Sequence, residues 1–574
     1  MANQITFHPW LVEQAQDFCR ELDRAVSADP PAFSISVSQV PFGPGDLALL
    51  LDEPVLPICL DEAEALCGPL YAAGRTVCPG CLEHWFDNNM YDRGYPGKSP
   101  GAQVACGLIE KITQWSDRLL RTGRVEELES GAVSLVYGEW NPIWHPVFPL
   151  RDCLRCAPFA AGVHSSPRAH CSRWTGIVNR MEATIAPSAG AFRASALWSP
   201  PVPVGNARPP LKRLDSYGRG RTRQQAEFGC VGEAIERYSL IYRGDEHTIR
   251  ARFGEIEAVH PNNIQLFSET QYRERDTWNA AVDDIFFVGE PFDADRPVEW
   301  LEASALGRAG DNRFVPAACC LMWYQFPLGE PEFARADTVG CGTGVTFEDA
   351  LTHALLEWIE RDSMAIWWDN RLRRPGIRID SFESEGLDEV AGGLRAIGRD
   401  LFLLDCTSDI GVPAYVSVAP RFDGSEPLFA GAAHWSPKVA AYRAASEIGQ
   451  VWYAAKTTGA ATPGLRDWLL HETLATQPYL MPCAFAEAPN EINVPGEERI
   501  ACIVGRLEAV GLKAYAVDQS RADVLWPTAR AIVPGLRHIW NRRAPGRLYD
   551  VPVKMDWLPE PVYEHNLNPI RCMI

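Results

Sequence analysis

Two stretches of this 574-residue sequence carry glutamates in pairs three residues apart, each pair followed directly by an arginine: Glu233 and Glu236 before Arg237, Glu357 and Glu360 before Arg361. On a helix, a spacing of three sets both carboxylates of a pair on one face. Two such helices facing each other present four carboxylates to one point, and these repel unless cations intervene. Mg2+ takes hard oxygen ligands and bridges a few carboxylates to substrate phosphates. A planar arginine fork suits phosphate oxygens. The pattern therefore predicts nucleotide chemistry through Mg2+, at a site without a Walker loop.

The pairs belong to an internal repeat. Gly218-x-Gly220-x-Thr222, Ala226, Glu233, Ile235, Glu236, Arg237 and Ser239 recur in identical register as Gly342-x-Gly344-x-Thr346, Ala350, Glu357, Ile359, Glu360, Arg361 and Ser363. A fainter third copy keeps Ser436, Ala440, Glu447 and Gln450 without the two glycines. Each strong copy predicts a Gly-rich loop running into a helix capped by Thr222 or Thr346, with Ile235, Leu355 and Leu356 on a buried face. One copy alone would read as a solvated, ion-paired helix surface. Recurrence in register with the same glycines argues instead for a site built from two pseudo-equivalent halves.

The stretches SYGRGRTRQQAEFGCVGEAIERYS, GCGTGVTFEDALTHALLEWIERDSMAIWWDNRLRRP, AHWSPKVAAYRAASEIGQ and VPGLRHIWNRRAPGRLYDVPVKMDWL resemble the YcaO proteins, in particular the D subunits of thiazole/oxazole-modified microcin biosynthesis, over roughly residues 170–574. The resemblance implies that Glu233, Glu236, Glu357 and Glu360 hold Mg2+ around ATP, with Ser216, Arg219, Arg361 and Arg443 at nucleotide-contacting positions. It implies an ATP-dependent cyclodehydratase that turns Cys, Ser or Thr of a ribosomally made precursor peptide into thiazoline or oxazoline. Thioamide or amidine formation, or a non-catalytic scaffold, are the alternatives, and no residue is singled out as general base. The sequence departs from the family pattern at Val339, where an Asn is usual, and at Arg219, where a Lys is usual. It departs again in the tail Asn568–Ile574, which has one proline where a P-x-P-x-P ending is common. Expected partners are the precursor peptide, a separate E1-like leader-peptide-binding protein and a flavin-dependent azoline dehydrogenase, with a homodimer as the expected assembly.

The segment GPLYAAGRTVCPGCLEHWFDNN resembles the E1-like C domains that accompany such enzymes. Cys78 and Cys81 with Cys153 and Cys156 form two C-x-x-C pairs, the ligand set of a closed structural Zn2+ site. The expected fold is α+β/α-β multidomain: an E1-like, zinc-bearing α/β docking domain over 1–165, then a pseudo-symmetric YcaO α/β domain over 166–574. Before residue 70 the pattern predicts a helix from Trp10 to Val26 and strands at LALLLDE and VLPICL. From Gly74 to Pro158 it predicts irregular structure, and at 197–212 a Pro-rich surface connector. His145, His164 and His170 are expected to be structural, Trp367 and Trp368 to be core, and Asp362 to have no role as a base.

Composition narrows the function classes. A net charge of −20 disfavours binding to phosphate backbones. No window approaches the apolar run of a bilayer helix, and the start MANQITFHPW has no export or import signature, so a cytoplasmic location is expected.

Overall fold

The computed structural model describes residues 170–172, 174–185, 192–201, 214–280, 286–307, 312–457, 463–492, 494–521, 523–524 and 526–572. Before residue 170 it describes the strands given below, the residues beside two of them, and isolated helical positions between 81 and 115. The predicted helix Trp10–Val26, the predicted strand LALLLDE, His164, and Cys78, Cys153 and Cys156 lie outside the described residues.

The chain divides into two compact units: Met1–Glu182 with Ser195–Ser216 and Arg521–Leu525, and Ala183–Ala194 with Tyr217–Ser520 and Trp526–Ile574. The first carries a six-stranded sheet in sequential order: Ile5–Phe7, Ser34–Ser38, Val55–Leu60, Glu64–Cys67, Gly131–Val136 and Ile143–Pro146. The first three strands run parallel and the rest pair antiparallel. VLPICL is thus a strand, as its apolar run predicts. The stretch 74–158 is not irregular throughout, because GAVSLV and IWHP add two strands to this sheet. The Pro-rich stretch also departs from a surface connector at its start, where Trp198 ends a strand fully buried and Ser199 follows it inside. His145 bridges the hydroxyls of Ser172 and Ser134 at 2.8 Å each, and burial lowers its pKa to about 4, so it is a neutral structural histidine.

The repeat, which apart from Leu214–Ser216 belongs to the second unit, forms three strand-then-helix modules: β1 (Leu214–Gly220) and α1 (Arg223–Leu240); β2 (Cys341–Thr343) and α2 (Phe347–Asp369); β3 (Leu428–Ala433) and α3 (Pro437–Thr457). Strand β2 is the edge of an antiparallel sheet that continues through Thr528–Ile532, Tyr515–Asp518, Val298–Ala305 and Ile249–Ala251, with Arg313–Pro316 beside Val298–Ala305. Strand β3 is the edge of a second sheet through Ala414–Ala419, Phe402–Asp405, Gly376–Ile377 and Phe485–Ala486. Helix α2 packs on both sheets. Leu351, Leu355 and Ile359 join Ala529 and Ala531 in one core, while Trp367 and Trp368 join Phe429 and Tyr479 in another. Burial on both sides explains why α2 is apolar nearly all round.

The first two helices start at the caps their sequence predicts, and the third is capped in the same way by Ser436. Thr222 accepts from the Gln225 N–H, and Gln225 returns the bond to Thr222 N in a capping box. Thr346 and Ser436 accept from Asp349 N and Val439 N. The glycines, however, do not form a phosphate-cradling loop. Gly218, Gly220 and Gly342 lie in strands pressed against the following helix. A Cβ at Gly218 would meet Ala226 O at 2.0 Å and Cys230 N at 2.3 Å, and one at Gly342 would meet Ala350 O at 2.3 Å and Ala354 N at 2.9 Å. The same helix positions are struck in both copies, so the repeated glycine records a repeated close approach of backbones.

Replacing Gly342 by Ala should therefore destabilise the protein by about 2–3 kcal/mol through overpacking against helix backbone. Gly392, inside the helix Glu385–Ala396 with open space around it, should gain about 0.5–1 kcal/mol on the same change. Chemical denaturation of both variants checks the contrast, and equal effects would remove the packing argument.

Candidate active site

The strand-on-helix approach fixes the first glutamate of each pair. Glu233 accepts from Tyr217 N at 2.7 Å, and Glu357 accepts from Gly340 N at 3.0 Å. Each also receives the arginine one turn on, Arg237 to Glu233 at 3.1 Å and Arg361 to Glu357 at 3.3 Å. Gly340 can turn its N–H to Glu357 because it sits at φ +75, and a Cβ there would strike the Trp358 ring, whose indole N–H is committed to Ala531 O. The two copies thus hold equivalent carboxylates by equivalent donors.

The second glutamates are left differently. Glu236 accepts no hydrogen bond from the described residues, and Glu360 has only a 3.5 Å ion pair with Arg361. Burial raises the pKa of Glu236 to about 8; Arg237 opposes this, and the Glu357 and Glu233 charges reinforce it. Glu360 is raised for the same reason, with Glu447 and Glu357 as the repelling neighbours. The four predicted glutamates therefore share one electrostatic cluster, and Glu447 of the third module joins it. The faint third repeat was the signal for that fifth carboxylate.

Arginines interleave with these acids. Arg219, on β1, reaches across to α3, where it pairs with Glu447 at 3.0 Å and donates to Gln450 at 3.3 Å. Arg361 leaves its Nε buried without a hydrogen bond. The Arg443 guanidinium makes no hydrogen bond or ion pair among the described residues and lies near Arg219 and Glu360. Ser216 is fully buried in β1. Arg530, which sequence reasoning missed, adds a buried cation near Glu236; nothing in its strand context, TARAI, distinguishes it from a surface arginine.

Below this cluster lies a second network that the sequence did not signal. His538 Nε2 lies 2.9 Å from Asp337, Arg530 donates to the Asp337 carbonyl at 2.5 Å, and Arg542 stands 3.8 Å from the carboxylate. Burial works to raise the Asp337 pKa, but the hydrogen bond with His538 and the charges of Arg542 and Arg530 hold the carboxyl below its usual range, while burial pushes the pKa of His538 itself down. Val339, the departure from the family pattern, is buried beside this network, with its N–H on Asp337 at 2.8 Å. Asp362 is fully buried in a two-pronged pair with Arg547. The tail is pinned at its own chain: Trp368 Nε1 donates to Ile570 O, Asn568 bonds to Trp368 O and Tyr479, and Cys572 is buried.

These residues fit Mg2+ and phosphates. Glu236 is a partly exposed carboxyl with no hydrogen-bond donor among the described residues, and a hard cation beside it would favour its ionised form against the burial that raises its pKa. Among the described residues no three His, Cys, Asp or Glu side chains form a ready chelate. Of the zinc ligand set only Cys81 is described, and it is buried.

The raised pKa of Glu236 fixes a pH response. Between the ordinary carboxylate value and about 8, the folded protein keeps a proton that the unfolded chain releases. Stability without metal or nucleotide should therefore fall as pH rises through that window. Glu236→Gln should flatten part of this slope, as read from melting temperatures at pH 5 to 9. An unchanged slope would show that Glu236 titrates normally.

The chain is similar to several known proteins. An uncharacterized protein of Methanothermobacter thermautotrophicus is 27% identical over 337 residues, covering 56% of this chain and 80% of that one. A heterocyclase solved in complex with substrate and cofactor matches 99% of this chain and 85% of its own, with a TM-score of 0.84 and 26% identity. The heterocyclase TruD matches 98% of this chain and 83% of its own, with a TM-score of 0.72 and 25% identity. The family model described as YcaO cyclodehydratase, ATP- and Mg2+-binding, matches residues 217–537, the span that carries all three modules, and the chain belongs to the YcaO family.

Proposed function

We propose that this chain is an ATP- and Mg2+-dependent cyclodehydratase that forms thiazolines or oxazolines in a ribosomally made precursor peptide. The observation that carries the reading is the unbonded, desolvated Glu236 beside Glu357 and Glu233, with Glu360 and Glu447 completing the acidic cluster. The likeness to two heterocyclases over nearly the whole chain supports the reaction class.

An amide carbonyl is a poor electrophile and its oxygen a poor leaving group. Addition of a Cys thiol, or a Ser or Thr hydroxyl, to the preceding carbonyl carbon gives a hemiorthoamide that collapses backwards. If its oxyanion attacks the γ-phosphorus of ATP, ADP leaves. Phosphate departs next with loss of the amide proton, and the C=N bond of the azoline forms. Bound Mg2+ would neutralise the β- and γ-phosphates. In this chain Glu236 and Glu360 would hold it, while Glu233 and Glu357, anchored by Tyr217 N and Gly340 N, would shape the site. Arg361 and Arg443 have donors to spare for phosphate oxygens. Arg219 links α3 to β1 and would keep Glu447 in place. Ser216, buried in β1, would take the nucleotide-contacting place that the family resemblance gives it.

Residues 1–165 are proposed as an E1-like docking domain with a Cys78, Cys81, Cys153 and Cys156 zinc clasp, and 166–574 as the catalytic domain. A separate leader-peptide-binding protein would deliver the substrate, and a flavin-dependent dehydrogenase would oxidise the rings. Cytoplasm is the proposed location; among the described residues no helix is long and apolar enough to cross a membrane.

Incubating the chain with ATP, Mg2+, a leader-binding protein and a Cys-, Ser- or Thr-containing precursor peptide should remove about 18 Da per ring. Glu360→Gln should slow this by roughly 100-fold or more while the protein still folds. ATP with Mg2+ should raise the melting temperature of the wild type and not that of Glu236→Gln. Exchange of oxygen for sulfur would assign the chain to thioamide formation. Absence of any nucleotide-dependent shift would leave a scaffold.

A further inference from the structure

Both halves of the glutamate cluster are anchored by a backbone N–H, but the two donors arise differently. Tyr217, the donor to Glu233, lies inside the seven-residue strand β1. Gly340, the donor to Glu357, precedes β2, which is three residues long and starts at Cys341. Gly340 is a turn residue at φ +75. Its N–H points where the Val339–Gly340 peptide plane points, and no strand ladder sets that plane.

Side chains set it instead. The Asp337 carboxylate accepts from Val339 N at 2.8 Å through Oδ1. Arg530, only 3% exposed, donates from Nη2 to Asp337 O at 2.5 Å and from Nη1 to Val339 O at 3.4 Å. Val339 O belongs to the same peptide plane as Gly340 N–H, so the Arg530 fork grips the plane from the side opposite Glu357. Arg530 is itself fixed, since it pairs with Cys341 in the sheet and its Nε donates to Gln519. The turn is thus clamped by a carboxylate within it and a guanidinium across from it.

Asp337 has support of its own. Trp540 N donates to His538 Nδ1 at 3.2 Å, which places the proton of the neutral imidazole on Nε2, and Nε2 faces Asp337 Oδ2 at 2.9 Å. With both ring nitrogens engaged, His538 has no site to take a substrate proton, and its part is to hold Asp337. Glu357 depends on the outcome. Its Oε2 is bound by Gly340 N and its Oε1 by Arg361, so a relaxed turn would remove one of these two donors. Glu236 and Glu360 both feel the Glu357 charge.

We propose that Asp337 and Arg530 are positioning residues for Glu357: they fix the turn that aims Gly340 N–H at this carboxylate and so set the affinity of the site for nucleotide with Mg2+. The assignment rests on the nucleotide reading of the glutamate cluster and adds two residues that lie outside the repeated motif.

Hydrogen exchange of the full chain without nucleotide, read by mass spectrometry, tests the turn directly. The variants are Asp337→Ala and, separately, Arg530→Lys, which keeps the charge and loses the fork. In each, peptides covering 338–343 should exchange at least about tenfold faster, and peptides covering 217–220 should exchange as in the wild type. Each variant should also bind a non-hydrolysable ATP analogue with Mg2+ about tenfold more weakly. Asp409→Asn, which disturbs ion pairs with Arg547 and Lys554 away from the turn, should change neither reading. Unchanged exchange at 338–343 in both variants would overturn the assignment. So would equal acceleration at 217–220, the same changes in Asp409→Asn, or unchanged nucleotide affinity beside faster local exchange. If the wild type binds no nucleotide while the exchange contrast is found, the hold on Glu357 stands and the nucleotide reading falls.

Discussion

The structure depends on keeping several carboxylates near one another out of bulk water. Like charges at such a place cost free energy unless each is held by fixed donors or meets a cation. The fold meets part of that cost itself. Two glycine-bearing strands lie so close to the helices that follow them that backbone N–H groups reach Glu233 and Glu357, and arginines one turn on complete the anchoring. It leaves the rest unmet at Glu236 and Glu360, whose raised pKa values register the deficit. An apo site that prefers to be protonated is one that gains most from a divalent ion and a nucleotide.

Much of this was legible in the residues. The doubled Glu-x-x-Glu-Arg, in register with Thr caps and glycines, marked both halves of the carboxylate cluster because helix periodicity and capping are local rules. The role of the glycines was not legible, since a Gly-x-Gly before a helix reads equally as a loop or as a strand pressed against it. Only the positions of Ala226, Cys230, Ala350 and Ala354 beneath them decide. The network of Asp337, Arg530, His538 and Arg542 was also hidden, because Asp337 is remote in sequence from the other three and no spacing links it to them. In the first unit, GAVSLV and IWHP were missed because glycine and proline around them masked short strands that tertiary pairing completes.

The departures from the family pattern acquire physical content. Val339 is enclosed by apolar neighbours and offers its N–H to Asp337, so its change of polarity is absorbed by the core rather than exposed. Arg219 spans from β1 to Glu447 and Gln450 with two nitrogens, a bridge that a lysine with one nitrogen would make less completely. The tail is tied by Asn568 and Ile570 to Trp368 and Tyr479, so its short proline content is accompanied by specific anchoring.

The most direct test of the central claim is a crystal structure of the chain soaked with a non-hydrolysable ATP analogue and Mn2+ in place of Mg2+. Anomalous peaks should fall within about 2.0–2.3 Å of carboxylate oxygens of Glu236 and Glu360, with the triphosphate between α1 and α2. Peaks elsewhere, or a nucleotide bound away from these glutamates, would contradict the account.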